Sequence, residues 1–424
     1  MTIPQDPISR PVSVNARHKD HPSSSPLTIV LKLGTSSICD ELSFTPRLSV
    51  LSAIVETVVL LRELGHRVVL VSSGAVGMGL RRLDLQEKPS EMSRKQAIAA
   101  VGQGRLLSLY DDLFKLFSVP IAQVLLTRSD IAERSQYQNA CSTFSALLDM
   151  GVVPIVNEND TISVAGIRFG DNDTLSGLVA GMIDADLLFL LTDVDALYTD
   201  NPRSNPDAQI VRTVDDIPSL DSQISTSSSG SSLGTGGMTT KLIAADLATA
   251  AGVSTIISLG SAPERIPLII DFLYNSPEDP SPPHPPCPYT LFPAKVTPLG
   301  DRKWWIRHGL HPHGTLYIDT GAVRALIERK SSLFAVGITK SVGQYVAVQG
   351  VRILWAGKDI EVARGVVNYA SNEVERLVGC QSADFRSILG YADADCIIHR
   401  ANLARSLDLD SLQTLLSEDN VSSS

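Results

Sequence analysis

The chain alternates short, nearly all-apolar runs with longer stretches in which apolar residues recur every three or four positions. Thr28–Leu33 (TIVLKL), Arg67–Val71 (RVVLV), Pro120–Leu126, Val152–Val156, Leu187–Leu191 and Ser254–Leu259 are the short runs. Their length and β-branched content predict buried strands. Helical spacing predicts helices over Ser49–Leu64, closed by Gly65, over Ala97–Phe117, and through Phe144–Met150 before Gly151. Strands that alternate with helices and are apolar on both faces predict an α/β fold, a mostly parallel open sheet sandwiched by helices. Polar clusters follow the strand C-termini, where ligands bind in open sheets of this kind. Lys32, Ser73, Asp160 and Asp193 are therefore expected along one edge of the sheet despite their separation in sequence.

The texture changes twice. Residues 1–26, rich in Pro, Ser and charge, read as a disordered tail without an apolar signal core. The organised α/β pattern covers 27–275, interrupted by a serine-rich insertion at 219–232. Residues 276–288 are proline-rich and read as a semi-rigid linker. Beyond them come short β-like runs separated by glycine: Gly314–Ile318, Leu333–Ile338, Tyr345–Val348 and Arg352–Trp355. They predict a small β-rich domain over 289–405, followed by a C-terminal tail, 406–424.

At 424 residues and 43% hydrophobic composition the chain can bury two or three cores. Its net charge of −10 argues against chain-wide affinity for nucleic acid or anionic membranes. No apolar stretch is long enough to span a bilayer. The five cysteines are scattered and form neither a disulfide framework nor a zinc pattern. A cytoplasmic, reducing setting and no membrane partner are expected.

Chemistry concentrates at Gly234–Lys241 (GTGGMTTK), which precedes the apolar run Leu242–Ala251. Glycine lets the backbone approach a ligand closely, and a helix beginning there adds its positive N-terminal end, so the segment suits phosphate. Lys241 can reach the same phosphates; a flexible loop with a surface lysine is the plainer alternative. Other signals are weak. Gly230-Ser-Ser-Leu-Gly fits a hydrolase elbow but lies in a serine-rich loop. His308, His311 and His313 read as a solvated turn, and Trp304-Trp305 as core packing.

Six motifs occur in order: Lys32-Leu-Gly-Thr-Ser, Val71-Ser-Ser-Gly-Ala, Asn157-Glu-Asn-Asp, Gly170-Asp-Asn-Asp, Leu191-Thr-Asp-Val-Asp-Ala-Leu-Tyr and Gly234-Thr-Gly-Gly-Met-Thr-Thr-Lys-Leu. In these residues the chain resembles the glutamate 5-kinases of the amino-acid kinase superfamily over about 27–275. Gly314–Leu333 and Ser387–Arg400 resemble the PUA domain that many of them carry.

The resemblance implies transfer of the γ-phosphoryl group of ATP to the side-chain carboxylate of L-glutamate, the first step of proline synthesis. It implies Lys32 and Lys241 as catalytic lysines flanking the transferred group, with Asp173 orienting them. Asp173 could equally cap a helix over Leu175–Met182. Ser73, Asp160 and Asn172 are the implied glutamate contacts, supported by Asn157. Thr192, Asp193, Thr235, Gly236, Gly237, Met238, Thr239 and Thr240, with both lysines, form the implied nucleotide site. Mg2+ is expected through ATP phosphates and water, with no protein ligand assigned.

Feedback inhibition by proline is implied, acting between about Arg128 and Gly177. A homo-oligomer is expected, and RNA is a candidate partner because PUA domains elsewhere bind it. The reductase domain fused to this kinase in bifunctional plant and animal enzymes is missing, so a separate enzyme is expected to consume the acyl phosphate.

Overall fold

The structure, a computed structural model, describes residues 25–415 apart from 41, 164–171, 201, 203–204, 206, 216, 218–219, 221–236, 276–284, 296–300, 311, 348, 393, 408 and 410–411. Residues 1–24 and 416–424, most of the serine-rich insertion and most of the proline-rich linker lie outside the described residues. So do Thr235 and Gly236 of the glycine loop. Within the expected C-terminal tail, Leu412 is buried in the second core with Leu407 and Leu415 packed against it, so ordered chain runs past residue 405. The chain divides into two compact units at Pro298/Leu299, with Ile131–Glu133 grouped in the second.

The first unit runs β1 (Thr28–Leu33), α1 (Thr35–Ile38), α2 (Leu48–Glu63), β2 (Arg67–Ser72), α3 (Ala75–Arg82), α4 (Met92–Lys115), β3 (Ile121–Leu126), α5 (Arg128–Ala132), α6 (Arg134–Asp149) and β4 (Val153–Glu158). It continues with α7 (Asn172–Met182), β5 (Leu187–Thr192), β6 (Leu197–Tyr198), β7 (Ile210–Val211), α8 (Met238–Ala250), β8 (Ser254–Leu259), α9 (Arg265–Asn275) and β9 (Thr290–Phe292). Seven strands form one sheet in the order β3-β4-β2-β1-β5-β8-β9. All its pairings are parallel except β8 with β9, which is antiparallel.

This is the parallel, helix-covered sheet that the apolar strands predict. Thr290–Phe292 is the departure. Texture alone places these residues in the second domain, but they pair with Thr255–Ile257 at the edge of the first sheet.

Residue parity sorts the two faces of β1. Ile29, Leu31 and Leu33 join a core cluster with Leu51, Ile54 and Val58 of α2, Leu106, Tyr110 and Phe114 of α4, and Ile266 and Ile269 of α9. Val30 and Lys32 alternate onto the opposite face, where α7 packs on β1. Gly177 sets how closely α8 approaches α7: a Cβ there would lie 2.7 Å from the Ala244 carbonyl oxygen. That approach puts Asp173, one turn before Gly177, level with Thr240 and Lys241, about one turn before Ala244.

The second unit contains α10 (Asp301–Trp304), a π-helical turn Trp305–Gly309, β10 (Pro312–Ile318), α11 (Thr320–Ile327), β11 (Ile338–Gly343), β12 (Gly350–Trp355), β13 (Ile360–Val366), α12 (Ser371–Leu377), α13 (Phe385–Leu389) and β14 (Leu403–Arg405). Its five-stranded sheet has the order β11-β10-β12-β13-β14. Trp304 and Trp305 are buried, as core packing predicts.

Three expectations differ. Leu333–Ile338 is not a strand: Ala335–Gly337 is a 3-10 turn and β11 begins at Ile338. Tyr345 lies outside any strand and is buried with its ring where a Cβ on Gly314 would stand, 2.4 Å from its Cδ1. His308 belongs to the π-helical turn, its ring tilted against Trp304, rather than to a solvated turn.

Candidate active site

Lys32 enters the site from a central strand, in register with Val71 of β2 and Leu190 of β5. It is only 4% exposed, and Lys241, in the first turn of α8, only 7%. Two buried ammonium groups need an anion, because an isolated charge is strongly disfavoured away from water. Asp173 supplies it from the first turn of α7, with 0% exposure. Its carboxylate forms an ion pair with Lys32, and its Oδ2 lies 3.3 Å from Lys241 Nζ. Thr240 Oγ1 lies 2.8 Å from the same oxygen and 2.8 Å from the Gly237 carbonyl oxygen, two acceptors within reach of its one proton. Asp173 is therefore inside α7, bridging two lysines, rather than acting as the cap before Leu175.

Burial by itself pushes the Asp173 carboxyl pKa upward. The opposing charges of Lys32 and Lys241, with hydrogen bonds from Lys32 and Thr240, overcome this and hold it at about 2. Lys241 shifts below its usual value of 10.5, chiefly through burial and partly through repulsion from Lys32, against the attraction of Asp173 and Asp193.

The N-terminus of α8 adds backbone donors. Gly237 caps it in an extended conformation, no side chain bonds the cap, and no acidic residue occupies the first turn. The amide groups of that turn, Met238 and Thr239 among them, lie at the positive end of the helix, which suits an anion. Thr239 is exposed. Beside them, Thr192 ends β5 and its hydroxyl donates to Asp193 Oδ1 at 3.0 Å. Gly260 was not legible as part of this rim. Its N–H donates to the Thr192 carbonyl at 2.7 Å, and a Cβ there would stand 2.6 Å from Ser37 Oγ.

Three of the second group of expected residues, Ser73, Asn157 and Asn172, also come together. Asn172 Nδ2 donates to Ser73 Oγ at 3.0 Å and to Asn157 Oδ1 at 2.9 Å, joining the ends of β2, β4 and α7. Ser73 is held by the turn into α3, where Gly74 has φ +105°, and a Cβ on Gly74 would stand 2.6 Å from Ile38 Cδ1. Asp160 is half-buried two residues beyond β4, its N–H donating to the Glu158 carbonyl. Asn157 Nδ2 donates in turn to Gln103 Oε1 of α4 at 2.7 Å, a residue outside every motif read from the sequence. No group of three His, Cys, Asp or Glu able to hold a metal ion occurs among the described residues.

The amino acid kinase family model matches residues 27–258, and the PUA domain model matches 314–389. A probable glutamate 5-kinase of Schizosaccharomyces pombe is 54% identical over 385 residues, 90% of this chain and 94% of that protein. The glutamate 5-kinases of Rippkaea orientalis and Nostoc punctiforme are each 48% identical, over 89% of this chain and 98% of theirs. The two lysines bridged by a buried aspartate thus stand in a chain that belongs to the amino acid kinase family, within its glutamate 5-kinase group, and that carries a PUA domain.

Proposed function

We propose that the protein phosphorylates the side-chain carboxylate of L-glutamate with ATP, yielding L-glutamyl 5-phosphate for proline synthesis. The Lys32–Asp173–Lys241 bridge carries this reading. The acceptor is a carboxylate with an ordinary pKa of about 4.3, already ionised at neutral pH, so no general base is required. The barrier lies in bringing two anions together in line. Two ammonium groups on one carboxylate leave one net positive charge where they meet. Their burial removes competing water, so each acts more strongly on the transferred group than it would in solvent. Asp173 stays ionised throughout and keeps both lysines aimed at one point.

On this reading the α8 N-terminus with Gly236, Gly237 and Met238 receives the nucleotide phosphates, next to Thr192 and Asp193. Asp160 pairs with the glutamate α-ammonium, and Ser73 and Asn172 contact the substrate. Mg2+ enters on the nucleotide phosphates with water, which needs no dedicated cluster of protein ligands. Proline shares the α-amino acid part of glutamate and would compete through residues between Arg128 and Gly177. An initial rate unchanged over a wide range of added proline opposes that part.

The direct test is hydroxamate formation from glutamate, ATP and hydroxylamine, with aspartate and N-acetylglutamate as competing acceptors. Hydroxamate from glutamate alone supports the reading; a preference for another acceptor overturns it. Self-assembly belongs to the same reading, and sedimentation at the monomer mass at micromolar concentration opposes it. RNA binding by the PUA domain is opposed by the chain's net charge of −10. Salt-sensitive retention of RNA by the full chain would support it.

A further inference from the structure

Helix α4 carries three polar side chains seven residues apart: Gln96, Gln103 and Tyr110. This spacing puts them on one face, two turns from one another. Each meets the first sheet or the loop beyond it. Tyr110 OH lies 2.9 Å from Ser72 Oγ, Gln103 Oε1 accepts from Asn157, and Gln96 Nε2 donates to the Ser163 carbonyl at 3.1 Å. Parity explains the reach. Val153 and Ile155 of β4 join the core that α4 covers, so Asn157 turns to the same face. Asn172, at the start of α7, reaches Asn157 from the opposite face across the strand ends.

The polarity of this chain of amides follows from one group that has no choice. The backbone N–H of Glu158 can only donate, and it donates to Asn157 Oδ1 at 2.9 Å. Asn157 must therefore turn Nδ2 toward Gln103, whose Oε1 accepts. Asn157 Oδ1 also faces Asn172, so Asn172 must present Nδ2. The remaining oxygen, Asn172 Oδ1, is a buried acceptor with no hydrogen-bond partner among the described residues. An acceptor in that state needs a donor.

We propose that Gln103 is the positioning residue of the amino-acid site: through Asn157 it fixes the Asn172 amide so that its carbonyl oxygen is presented to the substrate's ammonium group. This rests on the functional reading above and adds a residue that none of the motifs contains. Gln103 acts through Asn157 and is not itself a catalytic residue. Without an acceptor at position 103, Asn157 Nδ2 loses its anchor and the orientation of Asn172 is no longer set. Among the described residues, the hydrogen bonds given for the nucleotide side join the end of β5, α7 and α8.

The experiment is steady-state kinetics of the full chain with glutamate and ATP varied separately, alongside thermal unfolding. Gln103→Met keeps side-chain length and removes the acceptor. Its KM for glutamate should rise about tenfold, with KM for ATP and Tm unchanged. Gln103→Glu still offers a carboxylate oxygen to Asn157 and should return the glutamate KM to within about twofold of wild type.

An unchanged glutamate KM in Gln103→Met overturns the proposal. So does an equal rise in both KM values, a rise accompanied by a fall in Tm, or a Gln103→Glu variant that fails to restore affinity. An active wild type with an unaffected Gln103→Met variant refutes the inference alone. A wild type without glutamate-dependent turnover overturns the functional reading and the inference with it.

Discussion

Asp173 is the residue on which the site turns, and its carboxyl is the most directly testable group. Its pKa is held at about 2 in the folded chain against 3.8 ordinarily. The stability this contributes is fully present above pH 3.8 and is lost as pH falls toward 2, and it amounts to about 2 kcal/mol at neutral pH. The difference in unfolding free energy between wild type and Asp173→Asn should therefore narrow as pH falls from 4 to 2. Denaturant titrations across that window check it, and a constant difference contradicts it.

Lys241 titrates below its usual value of 10.5 because it is buried. The proposed reaction needs it charged, so kcat should fall on the alkaline side before pH 10.5. Lys241→Arg should move that limb upward while lowering kcat, which a pH–rate profile would show. Asp160→Ala should instead raise the glutamate KM and change kcat little.

Legibility at this scale followed local anomaly. A lysine inside TIVLKL is conspicuous because its neighbours are apolar. Gln103 is an ordinary glutamine on a helix, and its partner lies 54 residues away in sequence. Only the fold brings the two together.

Elements position these residues through close contacts at glycine. At Gly177 the α7 backbone meets α8 with no room for a side chain. Gly177→Val should cost about 1–3 kcal/mol of stability by overpacking. It should also lower kcat, because Asp173 and Lys241 sit one turn away on the two displaced helices; unfolding and kinetics on the same variant check both.

In the second unit, Arg352 and Arg364 stand opposite each other across β12 and β13. Glu361 takes one from each side, both contacts at 2.7 Å. Burial raises the Glu361 pKa, but the two arginines outweigh it and hold the carboxyl below its usual range. Glu361→Gln should leave like charges facing and lower stability by about 1 kcal/mol. The loss should shrink in high salt, which unfolding at two ionic strengths would show.

Element types in the first unit were legible because strand and helix differ in period over stretches of six residues or more. The second unit was harder. The short apolar runs at 333–338 and 345–348 read as strands, yet a 3-10 turn at Ala335–Gly337 and the packing of Tyr345 on Gly314 serve the core there. Strand β13, with its charged Glu361 and Arg364, carries too little apolar periodicity to be read as a strand at all.

At the scale of the whole molecule, parallel pairing brings distant segments to one rim. Residues 32, 73, 157, 173, 192 and 241 all lie at strand C-termini or at the N-termini of the helices beyond them. That convergence was legible as soon as the strands were, because the rule for open parallel sheets concerns strand ends and not particular residues. The strand order, with β1 central and β9 reversed at the edge, was not legible, since pairing partners depend on contacts across the whole sheet. No helix among the described residues is long and apolar enough to cross a membrane.

Two buried ammonium groups, held on one carboxylate, are proposed to carry phosphoryl transfer from ATP to glutamate. The most direct measurement is the initial rate of glutamate-dependent hydroxamate formation by wild type and by Lys241→Ala, with thermal unfolding of both. The expected result is a robust wild-type rate, a fall of at least about 100-fold in the variant, and a folded variant with a cooperative transition. Equal rates in the two proteins, or no hydroxamate from the wild type, would contradict it.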